Sequence, residues 1–162
     1  MIRVYLTRLR DFGKSRRENQ RATADALVLR VCGKAPVRAE NGKPALDDGF
    51  VSISHSGDLV ACAVSTEAVG LDIEEMRPRK AALWQRAGAD DYAAWCKKEA
   101  YVKFLGCGFT VPPSQVSLDE TIWFYTAQTD GYQIALCSEH EQTVELHREG
   151  KENVWETALL YR

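Results

Sequence analysis

Asp72 and Glu74 stand two residues apart in the stretch Val69-Gly70-Leu71-Asp72-Ile73-Glu74-Glu75. Side chains alternate along a strand, so both carboxylates leave one face while Leu71 and Ile73 leave the other. Two like charges side by side repel unless a positive charge lies between them. A hard, oxygen-seeking cation such as Mg²⁺ would supply that charge, and the plain alternative is that Glu74 simply ends a solvated strand. Glu99 and Lys103, four residues apart, share one face of a helix, where the plain reading is a surface ion pair worth a few tenths of a kcal/mol. The basic run Arg8, Arg10, Lys14, Arg16, Arg17 and Arg21 reads either as a solvated helix face or as an anion site for phosphates. Ser54-His55-Ser56 closes a strand. A serine hydrolase built on Ser54 or Ser56, His55 and Asp72 is disfavoured. The G-x-S-x-G turn is absent, and adjacent Ser and His do not readily face each other as nucleophile and base.

The chain that must position these groups has 162 residues, which suits one domain or two small halves sharing a core. At 45% hydrophobic residues it can bury a sizeable core. A net charge of -2 suggests neither a nucleic-acid nor a membrane partner. No apolar run reaches membrane-spanning length, and Met1-Ile2-Arg3-Val4 does not read as a signal peptide. Cys32, Cys62, Cys96, Cys107 and Cys137 are odd in number and include no C-x-x-C pair. That fits reduced thiols in a cytoplasm, each a small buried hydrophobe, rather than a zinc site or a disulfide framework.

Ile2 to Leu6 reads as a strand and Lys14 to Cys32 as a helix stopped at Gly33. Lys34 to Asp48 is loop-like. Three short antiparallel strands follow, at 50–54, 59–64 and 69–73, joined by tight turns. Ala81 to Ala94 reads as a weakly marked helix interrupted by Gly88. A stronger helix runs from Trp95, with Trp95, Val102 and Leu105 as its buried stripe and Gly106 and Gly108 as stops. Four strands close the chain, at 122–127, 132–137, 143–146 and 154–160, with turns at Asp130-Gly131 and Glu149-Gly150. The order of elements allows two similar halves.

Four stretches together resemble the 4'-phosphopantetheinyl transferases, in particular the type that activates surfactin synthetase. Gly42-Lys43-Pro44 resembles that family's G-K-P loop, and Ser52-Ile53-Ser54-His55-Ser56-Gly57-Asp58 its strand and S-H-S-G turn. Val69 to Glu74 resembles its G-[IL]-D-[IVL]-E signature. Trp95-Cys96-Lys97-Lys98-Glu99-Ala100-Tyr101-Val102-Lys103 resembles W-x-x-K-E-[AS]-x-x-K. The resemblance covers roughly residues 41–140 and departs in length, before Gly42 and between Glu74 and Trp95.

The resemblance implies an α+β fold of two similar halves in pseudo-twofold relation, 1–73 and 74–162, each a helix on a small antiparallel sheet, with coenzyme A in the cleft between them. It implies transfer of the 4'-phosphopantetheine arm of coenzyme A to a serine of an apo acyl or peptidyl carrier protein, with adenosine 3',5'-bisphosphate released. Asp72, Glu74 and Glu99 would hold Mg²⁺, with Glu99, Lys103 and Asp72 as the catalytic set. Lys43, Ser54 and His55 would meet coenzyme A phosphates, and Lys14, Arg17 or Arg21 the 3'-phosphate. A monomer would suffice, since one chain supplies both walls. Arg77, Arg79 and Lys80 are the expected contacts for an acidic carrier. The competing reading is a non-catalytic module that binds coenzyme A or a carrier protein.

Overall fold

Alternation at Ile2, Val4 and Leu6 buries one face of a first strand, and the computed structural model realises it as β1 (Ile2–Arg8). The structure describes residues 1–39, 42–107, 111–150 and 155–161, with the backbone alone at 155 and 159–161. Helix α1 (Arg16–Cys32) starts two residues later than Lys14, because Ser15 and Glu18 form a reciprocal capping box. Gly33 ends it in the left-handed conformation. Then come β2 (Val37–Arg38), β3 (Pro44–Ala45), β4 (Phe50–Ser56), β5 (Leu59–Ser65) and β6 (Gly70–Glu75). Helices α2 (Ala81–Ala87) and α3 (Tyr92–Leu105), a 3-10 turn at Pro113–Gln115, and strands β7 (Trp123–Thr129), β8 (Tyr132–Ser138), β9 (Val144–Glu149) and β10 (Trp155–Tyr161) complete the chain. Asp130 and Gly131, both at positive φ, make the two-residue turn between β7 and β8.

A five-stranded sheet has the order β10-β9-β1-β5-β4, and a three-stranded antiparallel sheet the order β6-β8-β7. Within the larger sheet β1 and β9 run parallel, and the other pairs are antiparallel. Apolar side chains of β1, β5, β6, β8 and β9 meet in a shared core that includes Ile2, Leu6, Leu71, Ile73, Ile134 and Leu136. Leu27 and Val28 of α1 cover the outer face of the larger sheet, against Val51, Val60 and Cys62. Cys96, Ala100 and Tyr101 of α3 cover the outer face of the smaller sheet, against Ala135 and Cys137. The layers run α1, sheet, sheet, α3, an α+β architecture. No helix among the described residues is long and apolar enough to cross a membrane.

Several expectations are corrected. Strands β4 and β5 pair as expected, but β6 joins the other sheet, because both edges of β5 are taken by β1 and β4. Strand β6 spans Gly70–Glu75, and β9 and β10 belong to the sheet that contains β1. The interruption expected at Gly88 is found there: Gly88 caps α2 in the left-handed conformation. The stronger helix begins at Tyr92 instead of Trp95, because Asp91 caps it by accepting from the Ala94 amide at 2.7 Å. Gly106 ends it; Gly108 lies outside the described residues, as does Val154. Leu105 is 51% exposed, and the buried stripe is Cys96, Ala100, Tyr101 and Val102. Three cysteines, Cys62, Cys96 and Cys137, are buried, Cys32 is half-buried and Cys107 is exposed.

Candidate active site

Strand β4 is the edge of one sheet and β6 the edge of the other, and serines join them. Ser52, Ser54 and Ser56 alternate along one face of β4, and their hydroxyls accept from the amides of Leu71, Ile73 and Glu75 at 3.0, 3.2 and 3.0 Å. These side chains replace the carbonyls that a continuous sheet would have offered, so the edge amides of β6 are satisfied without backbone pairing. Ser54 donates to Asp72 Oδ1 at 2.9 Å, and Ser56 to Glu74 Oε2 at 2.9 Å. The seam thereby aims both carboxylates.

Over this seam, between α1 and α3, lies a cleft of about 780 Å³. Helix α1 contributes Arg17, Arg21 and Ala24; β4 contributes Val51 to His55; β6 contributes Asp72 and Glu74. Helix α3 contributes Trp95, Glu99 and Lys103, one residue per turn on a single face. The close approach of α3 to β6 depends on Gly70, where a Cβ would lie 2.0 Å from the Ala100 carbonyl oxygen. Gly42, Lys43 and Pro44 line the cleft beside Arg38.

Asp72 is 4% exposed. Its Oδ1 receives Lys103 Nζ at 2.7 Å, and Lys103 also donates to Ser54 Oγ at 2.8 Å. Its Oδ2 is buried and receives no N–H or O–H donor among the described residues, with only the weakly donating Cys96 thiol close to the carboxylate. Glu74 Oε2 lies 3.5 Å from the Arg79 guanidinium. Burial, then repulsion from Asp72, raises the carboxyls of both Glu74 and Glu99 above the ordinary glutamate range, with Lys103 opposing in each case. For His55, burial and then Lys103 lower the imidazole, which favours its neutral form.

The cleft thus gathers Asp72, Glu74, Glu99, Lys103, Lys43, Ser54, His55, Arg17 and Arg21. Lys14 is the exception: it precedes the cap of α1 and does not line the cleft. Lys43 Nζ donates to the carbonyl of Phe104 in the last turn of α3, at 3.1 Å. Ser54 has its one hydrogen and both acceptor positions engaged, so it works as a brace for Asp72 and Lys103 rather than as a free hydroxyl. Lys103, expected against a phosphate, here neutralises Asp72. The Ser54 hydroxyl gives its hydrogen to Asp72 and not to His55, so the hydrolase arrangement is not formed at Ser54.

Sequence reasoning missed Arg38, which bonds Asp25 and has a buried Nε without a partner among the described residues. It also missed Arg79 as the partner of Glu74. The alternation of serines at 52, 54 and 56 was a signal that pointed to the seam.

Hard carboxylate oxygens facing one cavity, one of them buried and given no N–H or O–H donor by the described residues, suit a divalent cation such as Mg²⁺. No group of three His, Cys, Asp or Glu side chains among the described residues is already assembled as a metal cage. The positions beside Asp72 and Glu74 are held by Lys103 and Arg79.

Three carboxylates set against arginines and lysines in one cleft are suited to phosphate chemistry. No protein-family model matches the chain. A Bacillus subtilis 4'-phosphopantetheinyl transferase is 30% identical over 155 residues, covering 74% of this chain and 69% of the relative. The 4'-phosphopantetheinyl transferase Sfp of Bacillus subtilis strain 168 is 28% identical, over 62% of this chain and 61% of the relative. The 4'-phosphopantetheinyl transferase gsp of Aneurinibacillus migulanus is 27% identical, over 61% and 56%. The chain belongs to the 4'-phosphopantetheinyl transferase family. It spans less than two thirds of the length of the second and third of these relatives.

Proposed function

We propose that this chain transfers the 4'-phosphopantetheine arm of coenzyme A to a serine of an apo acyl or peptidyl carrier protein, releasing adenosine 3',5'-bisphosphate, with Mg²⁺ as cofactor. The observation that carries the reading is the joining of Asp72, Glu74, Glu99 and Lys103 with Arg17, Arg21 and Lys43 in one cleft.

In this reading Arg17 and Arg21 bind the 3'-phosphate, assisted by Arg38, while Lys43 and His55 meet the other phosphates. Asp72, Glu74 and Glu99 would hold Mg²⁺, which when bound neutralises charge on the pyrophosphate. Glu99, raised by burial and by Asp72, accepts the proton of the acceptor serine. The serine oxygen bonds the phosphorus that carries the pantetheine, and the bond from that phosphorus to the bridging oxygen breaks. Adenosine 3',5'-bisphosphate leaves with that electron pair. Lys103 stabilises the departing charge, and Ser54 keeps Lys103 and Asp72 in register. The cleft offers no enzyme nucleophile in this scheme, so transfer is direct. Both walls come from one chain, which lets a monomer act, in the cytoplasm where carriers and coenzyme A meet.

The two halves are read as a repeat with a shifted boundary. In β1-α1-β4-β5 a helix follows the first strand and the sheet order is first-third-second; β6-α3-β7-β8 has the same order. The repeat unit then ends between Ser65 and Gly70. Superposing the two units tests it.

The function is tested by intact-mass spectrometry of a panel of apo carrier proteins incubated with the chain, coenzyme A and Mg²⁺. Each accepted carrier gains one phosphopantetheine and the enzyme gains nothing. A panel left unmodified while coenzyme A binds would replace this reading with the binding module.

A further inference from the structure

Asp72 and Glu74 are matched in their surroundings: each receives one serine hydroxyl and one cation. Asp72 has Ser54 and Lys103 at 2.9 and 2.7 Å; Glu74 has Ser56 and Arg79 at 2.9 and 3.5 Å. Lys103 comes from α3. Arg79 comes from the segment after β6, outside the four family-like stretches.

Arg79 is held in place. Its guanidinium lies over the rings of Trp95 and Tyr92, 5.1 and 5.6 Å from their centroids. Its Nε donates to the Tyr92 hydroxyl at 2.9 Å. That hydroxyl also donates to the Arg77 carbonyl at 2.7 Å and accepts from the Arg77 amide at 2.8 Å, so the segment is pinned to the first turn of α3. Arg79 lines a neighbouring cleft of about 730 Å³, while its partner Glu74 and the Trp95 ring under its guanidinium line the catalytic cleft.

We propose that Arg79 is a phosphate-binding residue of the transfer reaction, held in reserve by Glu74. The inference rests on the transferase reading above. With neither metal nor coenzyme A present, Lys103 and Arg79 neutralise Asp72 and Glu74. When the carboxylates exchange these side chains for a divalent cation, the freed Arg79 and Lys103 turn to the pyrophosphate oxygens. A guanidinium fork suits two phosphate oxygens as well as it suits a carboxylate. Each exchange leaves a part-buried charge unpaired unless the other ligand arrives, since stripping one partner from such a pair is costly. Metal and coenzyme A therefore bind with positive coupling, and the coupling is reciprocal.

The test uses Mn²⁺ as the metal probe, followed by the paramagnetic resonance signal of the free ion, with coenzyme A binding followed by calorimetry. The proteins are the wild type, Arg79→Met and Arg79→Lys. The wild type is expected to bind Mn²⁺ about 10-fold or more tightly with coenzyme A than without, and coenzyme A tighter by the same factor with Mn²⁺. Arg79→Met removes the competitor at Glu74 and the phosphate contact together. It should bind Mn²⁺ alone more tightly than the wild type, bind coenzyme A more weakly, and lose most of the coupling. Arg79→Lys keeps the charge without the fork and should fall between them. Arg79→Met binding Mn²⁺ alone no more tightly than the wild type, or keeping the full coupling, overturns the proposal. Coenzyme A bound equally by all three proteins overturns this proposal alone. No binding of coenzyme A by the wild type overturns the transferase reading as well.

Discussion

Ser54 Oγ lies 2.9 Å from Asp72 Oδ1, and the same hydroxyl accepts the Ile73 amide at 3.2 Å. One side chain thus fastens the edge of one sheet to the edge of the other and aims a buried carboxylate into the cleft. Structure and chemistry are tied at this atom.

Replacing it should cost both. Ser54→Ala leaves the Ile73 amide without its acceptor and removes one bond each from Asp72 and Lys103. A loss of about 1–3 kcal/mol of stability is expected from buried groups left unpaired, with a lower transfer rate. Chemical denaturation and initial rates measure the two. Wild-type values for both would show that the hydroxyl is dispensable.

Glu99→Gln should lower transfer by about 10²-fold or more while coenzyme A still binds, because positioned proton transfer is typically worth 10²–10⁴. Lys103→Ala should also cut turnover, by removing charge stabilisation at the leaving phosphate. Initial rates with calorimetry on the same samples separate binding from turnover. Undiminished rates would remove the residue from the mechanism.

The pH dependence of stability has a definite sign. Burial and Asp72 raise the carboxyls of Glu74 and Glu99 in the folded state. The folded protein therefore holds their protons more tightly than the unfolded chain. Their contribution to stability is present below the ordinary glutamate range and lost as pH rises through the raised values. Melting curves of metal-free protein should show this loss above pH ~4, Mg²⁺ should oppose it, and Glu99→Gln should flatten it. A metal-free profile unaffected by Glu99→Gln would contradict the assignment.

Gly70→Ala places a Cβ 2.0 Å from the Ala100 carbonyl oxygen and 2.8 Å from Cys137 Sγ. Backbone must move, and overpacking of this kind typically costs about 1–3 kcal/mol. The displacement also separates Asp72 from the face of α3 that carries Glu99. Calorimetric melting and transfer rates should both fall; an unchanged melting temperature would mean that the strand and helix part freely.

Arg77, Arg79 and Lys80 line the second cleft with Arg16, while Asp58 and Glu75 supply the acids there. An excess of cations on a chain of net charge -2 suits an acidic partner. Raising salt should increase the apparent KM for the carrier more than that for coenzyme A, and an Arg77→Ala/Lys80→Ala double variant should lose most of that difference. Equal salt dependence of the two KM values would place the carrier elsewhere.

Much of the local structure around the cleft was legible in the order of residues. Strand alternation put Asp72 and Glu74 on one face, and helical spacing put Glu99 above Lys103, because both patterns follow from backbone geometry alone. Gly33 and Gly106 as stops and Asp130-Gly131 as a turn were legible for the same local reason. Pairing across distance was not legible there, because it depends on packing. That β6 leaves its neighbours for β8 depends on which strand edges are already occupied. That Lys103 reaches Asp72, that Arg79 reaches Glu74, and that Lys14 stays outside the cleft while Arg38 enters it depend on how two sheets and two helices stack. Periodicity reports the face a side chain occupies; only packing determines what that face meets.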